Sequence, residues 1–340
     1  MAKVFDRVIL CTNVSQGQGL AYYYYRAFCD ELGKEKVWII DDGSRSYNAS
    51  IFERGINRFK YEIGWLSHQK YDRLTGLLTD GSNLVMLFNN AGLTLHEIQK
   101  LSVNRSVYLV NYLSDSPYGA IPSIRSEILK CISCFHLVCT FAQDLVPVLY
   151  QLGAQRVERI SFGYCKYTHL EPTRDVFVEF PERVYYFGTW TPEIEEWLSY
   201  LTVFDLGIEG IGWENAKNET LREIGTRKML NTDRDMPIMA RKAGVVVNFT
   251  RAQHGCFHTM KTFELTAAGA CVVSNFSREQ AEFFADNHSM VYFNTSDEMV
   301  NQVRFFMNNT MEAKRIRECA IEDALPHSYH ARVVQLLQVL

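Results

Sequence analysis

The sequence of 340 residues has no long apolar run, no strong excess of either charge and no repeated or low-complexity segment. No uncharged apolar stretch approaches the roughly 20 residues of a membrane-spanning helix, which argues against an integral membrane protein. Residues Met1–Arg7 lack the apolar core of a signal peptide. A formal net charge of −4 is not the basic footprint of a dedicated nucleic-acid-binding protein. We therefore expect a globular protein of the cytoplasm.

The nine cysteines lack the spacing of a zinc site. Cys131 and Cys134 form one CxxC pair, but no second pair follows at the distance that zinc sites require. Because no export signal precedes them, we expect reduced thiols that are buried in the fold.

What the sequence does contain is two series of alternating strands and helices. In the first half, apolar runs at Val8–Thr12, Leu84–Phe88 and Val107–Tyr112 alternate with helical patterns such as Leu20–Leu32. A second series begins at Arg183–Phe187. Such alternation predicts parallel βαβ units with helices on both faces of each sheet. Further strands are predicted at Val37–Ile40, Leu137–Thr140, Arg159–Phe162, Val203–Ile208, Val245–Phe249, Cys271–Ser274 and Met290–Phe293.

A polar segment separates the two series. Residues 166–182 contain Pro172 and Pro181 and are typical of an inter-domain connection. We therefore predict an α/β protein with one doubly wound, Rossmann-like domain over residues 1–165 and a second over 183–326. Residues 166–182 would be the linker, and residues 327–340 a closing helix. Two such domains would leave a cleft between them, and ligands would bind outside the carboxyl ends of the strands.

The most informative segment runs from His258 to Glu264 and lies between two apolar runs. A helix that begins here offers unpaired N–H groups, which favour a phosphate, and Lys261 adds a full positive charge. The Glu264 carboxylate, one turn later, could accept two hydrogen bonds from a ribose diol, each contributing about 1.5–3 kcal/mol. The alternative is a solvated i,i+3 ion pair of Lys261 and Glu264, worth only about 0.2–0.5 kcal/mol.

Residues 261–270, KTFELTAAGA, resemble a motif of the spore-maturation CgeB-like glycosyltransferases, which are relatives of the large retaining nucleotide-sugar transferases. Weaker resemblances cover residues 115–117 (DSP), 160–164 (ISFGY), 184–190 (VYYFGTW) and 210–213 (GIGW). Together they extend from roughly residue 105 to the end. The resemblance implies a GT-B fold and transfer of a sugar from a nucleotide-diphosphate sugar to an acceptor hydroxyl. It also implies retention of configuration and no need for a metal or other cofactor.

The resemblance assigns roles to individual residues. Glu264 would bind the ribose, and Lys261 would replace the family's arginine as a point charge near the diphosphate. Many relatives carry an acid eight positions before this glutamate, where this chain has Cys256; His254 and His258 are the two candidates to replace it. The candidate donor-binding residues are Gly188, Thr189, Trp190, Arg251, His254, Thr259, Lys261, Thr262 and Glu264. The candidate catalytic residues are Asp115, His258 and Glu264. His254, Cys256 and His258 also permit a metal site, but we predict none.

Two segments of the first half are candidates for the acceptor side. The loop Gln16, Gly17, Gln18 and Gly19 follows the first strand; the resemblance places it beneath the transferred sugar, and the alternative is a tight strand-to-helix turn. Asp115 follows the strand Val107–Tyr112 and could act as a general base or orient an acceptor hydroxyl. Its alternative is a local Asp-Ser-Pro turn. Asn89 and Asn90 are most typical of a turn.

Four classes of acceptor are compatible with the sequence: a glycan, a small molecule, a protein and a modified base. One alternative function is glycosyl transfer to a modified nucleic-acid base, with Lys217–Arg241 flanking a duplex. A second is a module that binds a nucleotide sugar without turnover, which Cys256 would favour. Fold alone does not separate these functions.

Overall fold

The computed structural model describes residues 4–13, 19–41, 65–116, 128–176, 183–225, 234–250 and 257–340. The chain divides into two compact units: Met1–Ser161 together with Tyr329–Leu340, and Phe162–Ser328. Each unit contains its own parallel sheet. The prediction of two doubly wound α/β domains is confirmed.

The first unit is built on a six-stranded sheet. Its strands are β1 Arg7–Cys11, β2 Val37–Ile40, β3 Asn83–Phe88, β4 Val107–Leu113, β5 Leu137–Thr140 and β6 Val157–Arg159. Its helices are α1 Leu20–Leu32, α2 Trp65–Leu77, α3 Leu95–Ser102 and α4 Leu145–Gln151. The strand order is β2-β1-β3-β4-β5-β6, with parallel pairs. Every position of β3 and β5 is buried, as in parallel sheets with both faces covered.

The second unit is built on a five-stranded sheet. Its strands are β7 Val184–Phe187, β8 Leu206–Glu209, β9 Val245–Asn248, β10 Val272–Asn275 and β11 Val291–Phe293. Its helices are α5 Pro192–Ser199, α6 Glu219–Ile224, α7 Met236–Lys242, α8 Met260–Ala267, α9 Arg278–Phe283, α10 Ser296–Asn308 and α11 Thr310–Ala324. The strand order is β11-β10-β9-β7-β8, again with parallel pairs.

The last helix, α12 (Tyr329–Val339), belongs to the first unit although it follows the second in the sequence. The ring of Tyr329 lies 5.3 Å from the ring of Tyr23 and 5.3 Å from that of Tyr24. Tyr24 is fully buried and also contacts the rings of Phe88 and Tyr112. Helix α12 therefore completes the aromatic core of the first unit.

The described part of the segment predicted as a linker, residues 166–176, lies within the second unit. It forms a π-helix at Lys166–Leu170 and a 3-10 turn at Glu171–Thr173. Thr168, His169 and Leu170 are buried there. Although the composition of this segment is polar, it contributes buried side chains to the second unit.

The bounds of most predicted strands differ from the observed ones by a residue, and two predicted strands differ by more. The strand predicted at Arg159–Phe162 is β6 and ends at Arg159, and the strand predicted at Val203–Ile208 is β8 and begins at Leu206. Within the described ranges, the eight cysteines are free thiols. Of the helices described, none is both long and apolar enough to cross a membrane.

The close approach of β7 and β8 at their carboxyl ends leads to a stability prediction. A Cβ at Gly210 would lie 1.9 Å from the carbonyl oxygen of Gly188, a backbone atom that cannot rotate away. We expect Gly210→Ala to lower the free energy of unfolding in urea by about 1–3 kcal/mol, because the two strand ends must separate. Gly76→Ala in α2 is the matched control, since its Cβ would meet no atom within 4 Å. That variant should be neutral or more stable by up to about 1 kcal/mol. Equal stability of Gly210→Ala and the unmodified protein would contradict the prediction.

Candidate functional site

The carboxyl ends of β7 and β9 form the switch point of the second sheet, because β7 pairs with β8 on one side and with β9 on the other. Ligands of doubly wound sheets bind at such points. Gly188, Thr189 and Trp190 follow β7 directly, and α8 follows β9 after a connection. The predicted donor residues Arg251 and His254, with Cys256, fall in that connection and lie outside the described residues.

The backbone after β7 is held firmly. The Gly188 N–H donates to the Glu209 carbonyl at 2.9 Å, and the Trp190 N–H donates to the Ile211 carbonyl at 2.9 Å. The indole Nε1 of the fully buried Trp213 donates to the Gly188 carbonyl at 3.0 Å. Gly188 itself stays partly exposed. A fixed, accessible glycine at a strand end allows close approach of a ligand.

Glu195 also supports this strand end, although no pattern in the sequence points to it. Its Oε2 accepts from Trp190 Nε1 at 2.8 Å, and its Oε1 accepts from the N–H groups of Lys217 and Asn218, each at 2.7 Å. Burial by itself would raise the pKa of Glu195, but the hydrogen bonds from Asn218, Trp190 and Lys217 outweigh it and lower the pKa below its ordinary value. A buried carboxylate thus fixes the Trp190 ring and the loop that leads to α6.

The start of α8 is fixed by buried hydroxyl and amide groups. The Thr259 N–H donates to Thr262 Oγ1 at 3.1 Å, and Thr262 Oγ1 donates to Gln280 Oε1 at 2.8 Å. Gln280 Nε2 in turn donates to Ser274 Oγ at 3.2 Å and to the Asn275 carbonyl at 3.2 Å. Thr262, Gln280 and Ser274 have no exposed surface. The Thr262 hydroxyl, which is predicted to contact a donor, is therefore engaged in holding the first turn of the helix.

His258 is likewise engaged within the protein. Its Nδ1 lies 2.8 Å from Glu279 Oε2, both side chains being fully buried, and its Nε2 accepts the Phe162 N–H at 3.3 Å. A ring nitrogen that accepts carries no proton, so Nδ1 carries it and donates to Glu279. The ring also meets Phe263 and Phe283 edge to face. Both nitrogens have partners in the fold, which favours a supporting role for His258 over the predicted catalytic one.

Lys261 and Glu264 lie on the first two turns of α8 with different surroundings. Lys261 is partly exposed, whereas Glu264 is only 6% exposed. Glu264 Oε1 lies 3.8 Å from Nε2 of the buried His169. A solvated ion pair of Lys261 and Glu264, the alternative considered from the sequence, does not fit a carboxylate that is withdrawn from water. The helix start combines a positive end, a lysine and a buried acceptor, which suits an anionic ligand with hydroxyl groups.

The switch point of the first sheet lies at the carboxyl ends of β1 and β3, because β1 pairs with β2 on one side and β3 on the other. Lys70, only 2% exposed, donates to Asn13 Oδ1 after β1 and to the Ala91 carbonyl after β3. It ties the two strand ends together. Gly19, at φ 83°, precedes α1. Gln16, Gly17 and Gln18, the rest of the predicted acceptor loop, lie outside the described residues.

A left-handed turn follows β3. Asn89, Asn90, Ala91 and Gly92 have φ values of 50°, 61°, 49° and 73°. The left-handed region costs roughly 1–2 kcal/mol for a residue with a Cβ, least for asparagine. Two hydrogen bonds hold the turn: the Asn90 N–H to Asn111 Oδ1 at 3.0 Å, and Asn111 Nδ2 to Asn90 Oδ1 at 2.8 Å. Strain of this kind is concentrated at functional sites.

This turn positions Asp115. Asn89 Nδ2 donates to Asp115 Oδ2 at 3.0 Å and to Ser114 Oγ at 2.8 Å, while its Oδ1 accepts the Ser114 N–H at 3.0 Å. Asp115 is exposed. Asn89, predicted to be a turn former, therefore also links the end of β3 to that of β4 and holds one carboxylate oxygen of an accessible aspartate.

A metal site has no candidate in the described ranges: no three His, Cys, Asp or Glu side chains there are grouped to hold an ion. Of the three residues considered for such a site, only His258 is described. Its ring nitrogens are bonded as stated above.

The Glu195 contacts predict a pH-dependent stability. Because its pKa is lowered in the folded state, Glu195 stabilises the protein above the ordinary carboxyl pKa of 4.5, and this contribution is lost as the pH falls below that value through the folded pKa. We expect Glu195→Gln to lower the free energy of unfolding at pH 7, with a difference that shrinks below about pH 4.5. Glu196→Gln, at the exposed neighbouring position, should show little difference at any pH. A pH-independent gap between Glu195→Gln and the unmodified protein would contradict this origin.

Comparison with known proteins gives a family match over the second half of the chain. Residues 191–338 match a family model described as glycosyl transferase-like. No curated protein matches the sequence.

Solved structures match nearly the whole chain. HepE of Anabaena in complex with UDP and glucose superimposes with a TM-score of 0.69 at 14% identity, over 98% of this chain and 100% of that one. Sucrose-phosphate synthase of Thermosynechococcus elongatus gives a TM-score of 0.68 at 9% identity, over 99% and 98%. The N-terminal domain of Candida albicans trehalose-6-phosphate phosphatase gives 0.66 at 10% identity, over 99% and 97%. At these identities the similarity is one of fold, and that fold is GT-B.

The fold agrees with the family match over the second half. The chain therefore has a GT-B fold, and its residues 191–338 are similar to glycosyl transferases.

Proposed function

We propose that the protein transfers a sugar from a nucleotide-diphosphate sugar to an acceptor hydroxyl, and that the donor binds at the start of α8. The observation that carries this proposal is the buried Glu264 carboxylate, one turn beyond a partly exposed Lys261, on a helix at the switch point of the second sheet. A carboxylate at this position can accept two hydrogen bonds from a ribose diol.

The remaining donor contacts follow from the same geometry. The diphosphate would lie near the N–H groups of the first turn of α8 and Lys261, with Gly188 and Thr189 approaching from the end of β7. The leaving group is a nucleoside diphosphate, so these positive groups would stabilise the charge that develops on it. UDP-glucose is the first donor to test, because HepE of Anabaena has been solved in complex with it.

The acceptor side would rely on Asp115. Its carboxylate, held by Asn89 at one oxygen, is accessible to an acceptor hydroxyl at the other. The hydroxyl would donate its hydrogen to this oxygen and be oriented for attack. Membership of the CgeB-like group, retention of configuration, independence of metals and cofactors, and a cytoplasmic location belong to this proposal.

The donor site predicts the behaviour of Glu264 variants. Glu264→Ala should weaken UDP-glucose binding at least tenfold, or about 1.4 kcal/mol, because the ribose loses its acceptor. Isothermal titration calorimetry on the full chain measures this. Glu322→Ala, at an exposed position of α11, is the matched control and should bind like the unmodified protein. Unchanged affinity in a folded Glu264→Ala protein would refute the proposed donor site.

The acceptor side predicts the behaviour of Asp115 variants. Asp115→Asn should slow release of nucleoside diphosphate from the donor by about 10²–10⁴-fold and leave donor affinity unchanged. Asn89→Gly, which tolerates the left-handed backbone but lacks the amide, should lower the same rate by a smaller factor. Asp80→Asn, at an exposed position before β3, is the control.

Two results would count against this scheme. Full turnover in Asp115→Asn would remove Asp115 from the reaction. Donor binding without any release of nucleoside diphosphate, by the unmodified protein and with every acceptor class, would indicate a binding module without turnover.

A further inference from the structure

The π-helix Lys166–Leu170 brings a histidine to the carboxylate that is proposed to bind the ribose. His169 Nε2 lies 3.8 Å from Glu264 Oε1, and the two side chains are 1% and 8% exposed. The residues are far apart in the sequence, and His169 falls in the segment that composition assigns to a linker. Helices of the π type are rare in proteins.

The hydrogen bonds of His169 determine where its proton lies. The Cys165 N–H donates to His169 Nδ1 at 3.0 Å, so Nδ1 carries no proton and the neutral ring carries it on Nε2. Two further hydrogen bonds hold the main chain of His169, from which the ring projects. The His169 N–H donates to the Cys165 carbonyl at 2.8 Å, and Thr173 Oγ1 donates to the His169 carbonyl at 3.3 Å. An N–H of fixed direction therefore faces the Glu264 carboxylate.

A buried N–H beside a buried carboxylate has a clear electrostatic consequence. The separation of 3.8 Å is longer than a direct hydrogen bond, which leaves an attraction between a dipole and a charge in a region of low dielectric. This attraction restrains the rotation of the carboxylate. Glu264 then presents its oxygens to a ligand in a fixed direction, and less conformational freedom is lost on binding.

We propose that His169 is a positioning residue for the donor: its Nε2–H holds the Glu264 carboxylate to receive two hydrogen bonds from the ribose 2′- and 3′-hydroxyls. The inference rests on the proposed role of Glu264. It adds that selection for an intact ribose diol depends on a residue that does not itself contact the nucleotide.

The test compares two substitutions of His169 with UDP as the probe, in titration calorimetry of the full chain. Gln places an amide nitrogen near the position of Nε2, whereas Asn is too short to do so. We expect His169→Asn to weaken UDP binding about tenfold and His169→Gln to stay within about twofold of the unmodified protein. The weakening should vanish with 2′,3′-dideoxy-UDP and in the Glu264→Gln background, as a coupled pair requires.

A surface pair supplies the matched control. His288 Nε2 lies 3.8 Å from Asp323 Oδ2, the same separation, but the two side chains are 54% and 35% exposed. His288→Asn should leave UDP affinity unchanged. A purely structural role for His169 would lower the free energy of unfolding without changing UDP affinity or its dependence on the diol, and that result would overturn the proposal.

The failures of the two proposals are distinguishable. If Glu264→Ala leaves UDP affinity unchanged, the proposed function fails. If Glu264→Ala weakens binding but His169→Asn does not, only the role of His169 fails. Should the His169 variants not fold, ¹⁵N–¹H spectra of the unmodified protein replace them. A protonated Nε2 whose signal shifts on addition of UDP supports the proposal, and a proton on Nδ1 or an unmoved signal contradicts it.

Discussion

The second unit depends on polar side chains that are buried at the carboxyl end of its sheet and must all be satisfied there. Helix α8 starts inside the protein, where an unpaired donor or acceptor costs about 1–3 kcal/mol. Thr262, Gln280, Ser274 and Asn248 meet this requirement together, with Asn248 Nδ2 lying 3.3 Å from Ser274 Oγ and 3.4 Å from Gln280 Oε1. Since alternative arrangements would break several of these bonds at once, the direction of α8 is fixed. The position of Glu264 follows from it.

The two units hold their strand ends by different means. In the second, the side chains of Trp213 and Glu195 bind backbone groups of the loops after β7 and β8. In the first, a strained left-handed turn is stabilised by Asn111 and by the buried ammonium of Lys70. Both solutions place rigid backbone where ligands of doubly wound sheets bind, which reduces the entropy lost when a ligand is ordered.

The sheets were predictable because their strands are short apolar runs rich in β-branched residues, separated by turn residues. Helix α2 is not predicted, since it buries Lys70 and Ser67 and so lacks a continuous apolar face. Helix α11 is rich in charged residues and is missed for a related reason. The local sequence pattern indicates which residues of a helix face the core only when the buried face of that helix is apolar.

The candidate site was predictable in part. The charge and hydrogen-bonding capacity of Lys261 and Glu264 can be read locally, whereas the roles of Glu195 and His169 depend on partners distant in the sequence. Glu195 binds backbone N–H groups 22 and 23 positions away, for which no sequence pattern exists. His258 shows the converse difficulty. A histidine beside a motif suggests chemistry, and only its buried partners reveal support for the fold.

Helix α12 has a consequence for how the chain is made. The residues that cover Tyr23 and Tyr24 are synthesised only after the whole of Phe162–Ser328 has been synthesised. Domains generally fold in the order in which they emerge. Here the second unit is complete in the nascent chain before the first has all its parts. Until Tyr329 has been added, Tyr23 and Tyr24 lack the ring that covers them, and the first unit reaches its final packing only after that.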